Sequence, residues 1–264
     1  MSTVRRWRPK LIALDVDGTL VPPGGTLAPR VRKAVSRAIR AGVSVVLTSG
    51  RSALEVRPFV AELGLRRGFG VCSNGAVTVR YPTLAVVDEV TFAPAKVVQY
   101  LLEHAPRARI AVEDATDGFR VTSRFPDGEL HCEQRIESLE GLLSRPVTRV
   151  VFRDPDSTAE EFVELLDRVR PEGVSCAVGY KAWLDIGPLG VSKGTALVRI
   201  AERLGVPAED CLAVGDGRND IDMLQWAGRG VAMGQAPPEV QHAADDVTEP
   251  VSADGVAVEL ERWF

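Results

Sequence analysis

Four short stretches of this chain set acids, hydroxyls and a lysine where they could act together. Asp15 and Asp17 stand two residues apart behind the apolar run Leu11–Leu14. Just past a strand end the backbone need not alternate strictly, so both carboxylates can reach one cavity, and Gly18 permits the tight turn beside them. Two close acids can divide a group-transfer reaction, one ionised as nucleophile and the other as proton donor. Leu47–Arg51 offers hydroxyls and backbone N–H groups near a helix start, a natural seat for an anion. In Val191–Leu197, Lys193 falls in the first turn of a helix, where the helix dipole disfavours a cation unless carboxylates or a phosphate compensate. Gly215–Leu224 supplies Asp216, Asn219, Asp220 and Asp222, hard oxygen donors of the kind Mg²⁺ takes. Each stretch alone also reads as something ordinary: a solvated turn, a helix cap at Ser49 or Ser52, a surface lysine, acids at a helix start. Their common placement and complementary chemistry set them apart. Acids can attack and hold a metal, while the lysine and small polar groups hold phosphate.

The elements that must position these residues follow from hydrophobic patterning. Leu11–Val16 and Val43–Gly50 read as buried strands with polar carboxyl ends. Between them Val31, Ala34, Val35, Ala38 and Ile39 recur with helical spacing, with Pro29 near the start and Gly42 past the end. A second helix is expected around Ser52–Leu63, kinked or shortened by Pro58. Strand–helix alternation of this kind implies a parallel sheet with helices on both faces and a site at the carboxyl ends of its strands. The middle of the chain differs. Turn signals at Ser73-Asn74-Gly75 (equally a place of close backbone packing) and Thr116-Asp117-Gly118 accompany helices at Ala95–His104 and Ser157–Arg170. Further strands are expected in VTRVVFRD, VSCAVGY and AWLDI. The first pattern then resumes with a helix over Ser192–Leu204, a strand in CLAVGDG and a short one in GVAMG. The expectation is an α/β protein: a Rossmann-like parallel-sheet core from residues 1–80 and 188–264, with an α+β cap inserted at 81–187.

The 264 residues suffice for two such units, and 45% hydrophobic with 26% charged residues is ordinary globular composition. A formal net charge of -4 argues against a general nucleic-acid partner. Cys72, Cys132, Cys176 and Cys211 form no CxxC pair, so no zinc site is expected. No stretch approaches the ~18 apolar residues of a membrane span. The basic start of the chain is followed by too short an apolar run for a signal peptide, so a cytoplasmic protein is expected.

In this order, DVDGT, Ser49-Gly50-Arg51, VSKGTAL and GDGRNDIDML resemble the four motifs of the haloacid dehalogenase superfamily of phosphatases. The closer resemblance is to the Cof-like members with a large α/β cap (type IIB), supported by Ser73-Asn74-Gly75-Ala76, WLDIGPLGVSKGTAL and GVAMGQAPPEV. The resemblance implies a Mg²⁺-dependent phosphomonoesterase working through an aspartyl-phosphate on a small soluble metabolite such as a sugar phosphate. Asp15 would be the nucleophile, Asp17 the general acid and then base, and Lys193 the cation neutralising Asp15 and the phosphate. Ser49 and Gly50 would join Lys193 in binding phosphate. Asp15, the Asp17 carbonyl and Asp216 would bind the metal, with Asn219 and Asp220 supporting it. The family usually carries Thr where this chain has Ser49. Serine keeps the hydroxyl, and Thr48 beside it competes for the assignment. A phosphomutase of the same superfamily, a phosphoprotein phosphatase and a catalytically silent phospholigand sensor are the alternatives. Arg120, Arg124, His131, Arg135 and Lys181 are cap side chains able to reach substrate, though each is equally at home on the surface. Trp183 reads as cap–core packing, and Trp263-Phe264 as a packed helix end.

Overall fold

A computed structural model describes residues 7–115, 118–126, 128–130, 132–169, 171–179 and 182–264. The basic opening residues 1–6, the expected turn at Thr116-Asp117, the cap candidates His131 and Lys181, and the expected helix and strand ends at Arg170 and Tyr180 lie outside these. The first part of the chain forms β1 (Leu11–Asp15), α1 (Pro29–Arg40), β2 (Ser44–Thr48), α2 (Ala53–Glu62), β3 (Phe69–Cys72), β4 (Val77–Arg80) and β5 (Ala85–Glu89). The middle forms α3 (Ala95–His104), β6 (Arg109–Asp114), β7 (Gly118–Val121), β8 (Gln134–Ile136), α4 (Leu139–Leu143), β9 (Val150–Arg153), α5 (Ala159–Val169), β10 (Val174–Val178) and β11 (Trp183–Pro188). The last part forms α6 (Lys193–Leu204), β12 (Cys211–Gly215), α7 (Ile221–Trp226), β13 (Arg229–Ala232), α8 (Pro238–Ala243), β14 (Asp246–Val247) and α9 (Gly255–Leu260).

The eight-stranded sheet runs β14-β13-β12-β1-β2-β3-β4-β5, parallel from β14 to β3 and antiparallel beyond. β1 is buried along its whole length because it faces helices on both sides. Ile12 and Leu14 join α1, α2 and α9 in one core, whereas Leu11 and Ala13 join α6 and α7 in another. α1 buries Val31, Ala34, Val35 and Ala38, one helical stripe. α2 does not stop at Pro58. It starts on a capping box between Ser52 and Glu55 and runs to Glu62, so Ser52 and not Ser49 is the cap. Trp263 packs edge-on against Trp7 at 4.8 Å between ring centres, which closes the helix end as expected.

The six-stranded sheet, ordered β10-β11-β9-β6-β7-β8, is formed by the middle of the chain. The expected insertion at residue 81 starts too early. Ala85–Glu89 pairs with β4 in the large sheet, so the segment belonging to the small sheet begins after it. One face of the small sheet, with Ile110, Val112, Val150, Phe152, Leu184 and Ile186, packs on α3, α4 and α5. The opposite face carries Ala111, Phe119 and Val151 with Phe125 and Leu130, and turns its polar members toward the large sheet.

The stretch Ser73–Gly75 both turns and packs. It joins antiparallel β3 and β4, with Asn74 at φ 53° and Gly75 at φ 103°. A Cβ on Gly75 would lie 2.1 Å from the Ser192 carbonyl oxygen, against the start of α6. Both the conformation and the space therefore demand glycine. Gly75→Ala is expected to destabilise the fold by about 2 kcal/mol or more. Urea denaturation measures this, and a midpoint equal to wild type would contradict it.

Candidate active site

Parallel β1, β2 and β12 deliver Asp15, Ser49 and Asp216 to one edge of the large sheet, where α6 begins with Lys193 in its first turn. Lys193 is 1% exposed and its Nζ donates to Asp15 Oδ1 and Asp220 Oδ1, both at 2.6 Å. Burial works against its charge, but Asp15 and Asp220 outweigh it and hold the ammonium proton more tightly than usual. Asp220 uses its other oxygen too: Oδ2 accepts from the amides of Asp216 (3.0 Å) and Gly217 (2.9 Å). Asp216 Oδ1 accepts from the Thr19 hydroxyl at 3.0 Å. Gly18, at φ 83°, has no room for a side chain, because a Cβ there would meet Asp216 Oδ2 at 2.2 Å.

Asp15, Asp216 and Asp220 each offer an oxygen within 4.8 Å of the others. Burial first, and then the neighbouring Asp220 charge, raises the Asp15 carboxyl well above its ordinary range against the opposing pull of Lys193. Asp216 is raised by the same two causes. Hard oxygens crowded at such a cost are the donor set a divalent cation relieves.

Other expected residues fall in place with differences. Ser49 is fully buried and its hydroxyl accepts from the Arg51 amide at 3.0 Å. Thr48 points to the other face of the sheet, toward Met223 Sδ at 3.4 Å, which removes it as a competitor. Gly50 lines the cavity above Asp15. The Asp17 side chain is half-exposed and held by both prongs of Arg51, at 2.8 and 2.6 Å. Asn219 donates to Asn74 Oδ1 at 2.9 Å rather than to an acid. Asp222 stands exposed on α7, two residues beyond Asp220 and outside the acid cluster.

The small sheet closes over this edge and leaves a cavity of about 400 Å³ between the two sheets. Its roof is where residue types alone gave the least guidance. Arg149, buried, donates from Nη1 to the Gly50 carbonyl, and its Nε lies 3.1 Å from Glu113 Oε2 and 3.7 Å from Asp185 Oδ1. Glu113 accepts from the Ser73 hydroxyl at 2.6 and 2.8 Å. Burial raises the Glu113 and Asp185 carboxyls, and Arg149 opposes it in both. Trp183, expected to pack cap on core, instead packs edge-on at 6.0 Å against Phe125 of the same small-sheet face, and it also lines the cavity. Arg120 instead pairs with Glu137 at 3.1 Å, and Arg124 and Arg135 are exposed; none of the three lines the cavity. Gln235, in the GVAMGQAPPEV stretch, donates to the Gly18 carbonyl at 2.6 Å and so braces the loop that follows Asp15. The alternation of AWLDI held the one signal for Asp185: it shares a face with Trp183, opposite Leu184 and Ile186. Among the described residues no helix is long and apolar enough to cross a membrane.

The haloacid dehalogenase-like hydrolase family matches residues 12–260 of the chain. The pyridoxal phosphate phosphatase of Escherichia coli is 31% identical over 263 residues, covering 94% of this chain and 96% of that protein. The HMP-PP phosphatase of Serratia proteamaculans is 28% identical over 270 residues, covering 97% and 95%. Among solved structures, a phosphatase of the haloalkanoate enzyme superfamily from Bacteroides thetaiotaomicron superposes with a TM-score of 0.80 at 26% identity, covering 100% of this chain and 98% of that one.

The raised Asp15 carboxyl has a thermodynamic consequence. The folded chain holds that proton to higher pH than the unfolded chain, so stability falls as pH rises from the ordinary carboxylate range through the raised value. Asp15→Asn removes this titration. In chelator the fall in urea midpoint from acid to neutral pH is expected to be smaller in the variant than in wild type. A fall equal to that of wild type would contradict it.

Proposed function

The chain belongs to the haloacid dehalogenase-like hydrolases and is a phosphatase enzyme, and from that premise we propose that it hydrolyses phosphomonoesters of small metabolites through an aspartyl-phosphate on Asp15. The observation that carries the reading is the buried Lys193 ammonium, 2.6 Å from Asp15 and from Asp220, beneath a roof formed by the middle of the chain. Residues 1–90 and 189–264 act as the catalytic core, with residues 91–188 as the cap. A cavity of about 400 Å³ suits a small leaving group, and the Escherichia coli and Serratia relatives act on small phosphorylated compounds.

An Asp15 oxygen attacks phosphorus and the bond to the leaving oxygen breaks. Lys193 neutralises charge on Asp15 and on the phosphoryl oxygens, while the Gly50 amide and the Ser49 hydroxyl fix their position. Asp17 gives its proton to the leaving oxygen. It then takes one from the water that attacks the aspartyl-phosphate, which releases phosphate and restores Asp15. In the resting chain Arg51 holds Asp17 by both oxygens. An entering phosphate competes for the same guanidinium fork and so frees Asp17, which takes up a proton from solvent or from the monoester monoanion before it gives one to the leaving oxygen.

Mg²⁺ fits the acid cluster. Asp15, Asp216 and the Asp17 carbonyl would hold it, and once bound it supplies neutralisation of the phosphoryl oxygens. Asp220 has both oxygens engaged by Lys193 and two backbone amides, so its part is to fix the Asp216 loop and the lysine. Asn219, on Asn74, steadies the same loop.

The test is phosphate release from a panel of phosphomonoesters, with Mg²⁺ and with chelator. Release is expected with Mg²⁺, and Asp15→Asn is expected to fall below about a hundredth of wild type. Full activity in excess chelator, or substantial turnover by the variant, would overturn the proposal. Asp17→Asn is expected to slow alkyl esters more than nitrophenyl esters, by about tenfold or more, because the poorer leaving group needs the proton. Equal losses for the two would remove Asp17 from the acid role.

A further inference from the structure

A side chain from the small-sheet unit reaches into the loop proposed to seat phosphate. The carbonyls of Ser49, Gly50 and Arg51 are each held. Ser49 O accepts from the Asn74 amide at 3.0 Å and Arg51 O from the Ser73 amide at 2.9 Å, both from the turn between β3 and β4. The carbonyl between them, on Gly50, accepts from Arg149 Nη1 of the other unit. The C=O and N–H of a trans peptide point in opposite directions. The Gly50–Arg51 peptide is therefore gripped at both ends, its carbonyl by Arg149 and its N–H by the Ser49 hydroxyl oxygen at 3.0 Å. That N–H takes an acceptor position on Ser49 Oγ and leaves the hydroxyl hydrogen for a phosphoryl oxygen. Arg149 comes to Gly50 already aimed. Its guanidinium carbon lies 5.2 Å from the Phe119 ring centre, and Glu113 Oε2 is 3.1 Å from its Nε. Glu113 in turn accepts from the hydroxyl of Ser73, the residue whose amide holds Arg51 O. One buried ion pair thus reaches the loop twice, through Gly50 and through Ser73. For stability alone such a pair is rarely better than apolar packing of the same volume. A pair that spans two units and ends on this loop has another use.

We propose that Arg149 is a positioning residue that completes the phosphate seat only when the small sheet is closed over the large one. It fixes the Gly50–Arg51 peptide, and that peptide fixes the Ser49 hydroxyl that meets the phosphoryl group. This rests on the phosphatase reading above and adds a link between closure and binding of the transition state. With the small sheet away, the Gly50 carbonyl loses this donor, the peptide can turn, and the hydroxyl loses its bias. Phosphate binding and closure then favour each other, which keeps the reactive arrangement from forming in a site open to water. Arg149 also lines the cavity. Its proposed effect lies on the phosphate, common to every monoester, so its removal costs the same whatever the leaving group.

The experiment is a double-mutant cycle on kcat/KM for p-nitrophenyl phosphate in Mg²⁺, with Arg149→Met, Ser49→Ala and the two combined. Each single variant is expected to lose at least about tenfold. In the Ser49→Ala background, Arg149→Met is expected to lose less than about threefold, because the hydroxyl it positions is gone. Losses that multiply would overturn the inference, since a merely structural defect lowers the active fraction in any background. Arg149→Met is also expected to lose equally, within about threefold, on p-nitrophenyl phosphate and acetyl phosphate, which differ only in leaving group. A loss confined to one of them would make Arg149 a leaving-group contact instead. Arg149→Met leaves Glu113 without its cation, so Glu113→Gln/Arg149→Met, checked by its urea midpoint, carries the same cycle if the single variant unfolds. Unaltered kcat/KM in a folded variant lacking Arg149 would also overturn the inference. Absence of any hydrolysis by wild type would instead strike at the phosphatase reading itself, so the two failures are distinguishable.

Discussion

A lysine with almost no contact with water stays charged only if carboxylates surround it, and three buried carboxylates stay folded together only if a cation stands among them. Lys193 and the acids Asp15, Asp220 and Asp216 meet both conditions at once. The sheet order is what allows this. Asp15 and Asp216 end neighbouring parallel strands, and α6 must begin over those ends to bring the ammonium down to them. Gly18 and Gly75 let the backbone come that close, one beneath Asp216 and one beneath the start of α6. Asp220 then ties the lysine to the amides of Asp216 and Gly217, so loop and helix cannot shift separately. Charge pairing, strand order and close backbone approach are therefore one constraint seen at three scales.

The small sheet depends on this floor through polar contacts rather than a continuous core. Its own apolar clusters are separate from those of the large sheet. What crosses between them near the site is a buried chain of polar groups: Ser73 to Glu113, Glu113 to Arg149, Arg149 to Gly50. Two units packed separately and joined by such contacts can part and rejoin at modest cost, since each polar group has water as an alternative partner once opened. Closure over substrate is the use a phosphatase has for that property, because water must be excluded while the phosphoryl group transfers.

Much of this was legible in the sequence where one physical rule dominates. β1, β2 and β12 read as apolar runs with polar ends because strands in the middle of a parallel sheet have no solvent face, and the polar residue that follows is forced to the edge. Lys193 stood out because a cation in the first turn of a helix opposes the dipole. The failures are equally physical. Ala85–Glu89 ends in Asp88 and Glu89, as an edge strand tolerates, and so it looked like the start of the insertion rather than the border of the large sheet. Asp220 and Asp222 are indistinguishable by type, and only the helical turn after Asp220 puts one beneath the lysine and the other in solvent. Thr48 and Ser49 were separated only when strand alternation sent one hydroxyl to Met223 and the other to the Arg51 amide. Arg149, Glu113 and Asp185 carry no local pattern that announces a site. Their meeting depends on how the small sheet folds and where it sits above Gly50.

The distribution of charge settles how a cavity rich in acids can receive a dianion at all. Lys193, Arg51, the Gly50 amide and the first turn of α6 lie along the floor, and the acids that hold them there are already engaged. A phosphate arriving at the floor meets donors, whereas the same group turned toward the roof meets Leu130, Trp183 and the Asp185 carboxylate, with Arg149 already turned to the Gly50 carbonyl. Segregation of this sort orients a monoester before any bond changes, with the phosphate down and the leaving group up. In a closed cavity that preference is worth more than in water, because fixed groups do not reorganise and solvent does not screen them. Under the proposed mechanism, the wall that looks unfavourable for a phosphatase is then part of how phosphorus is aligned with Asp15.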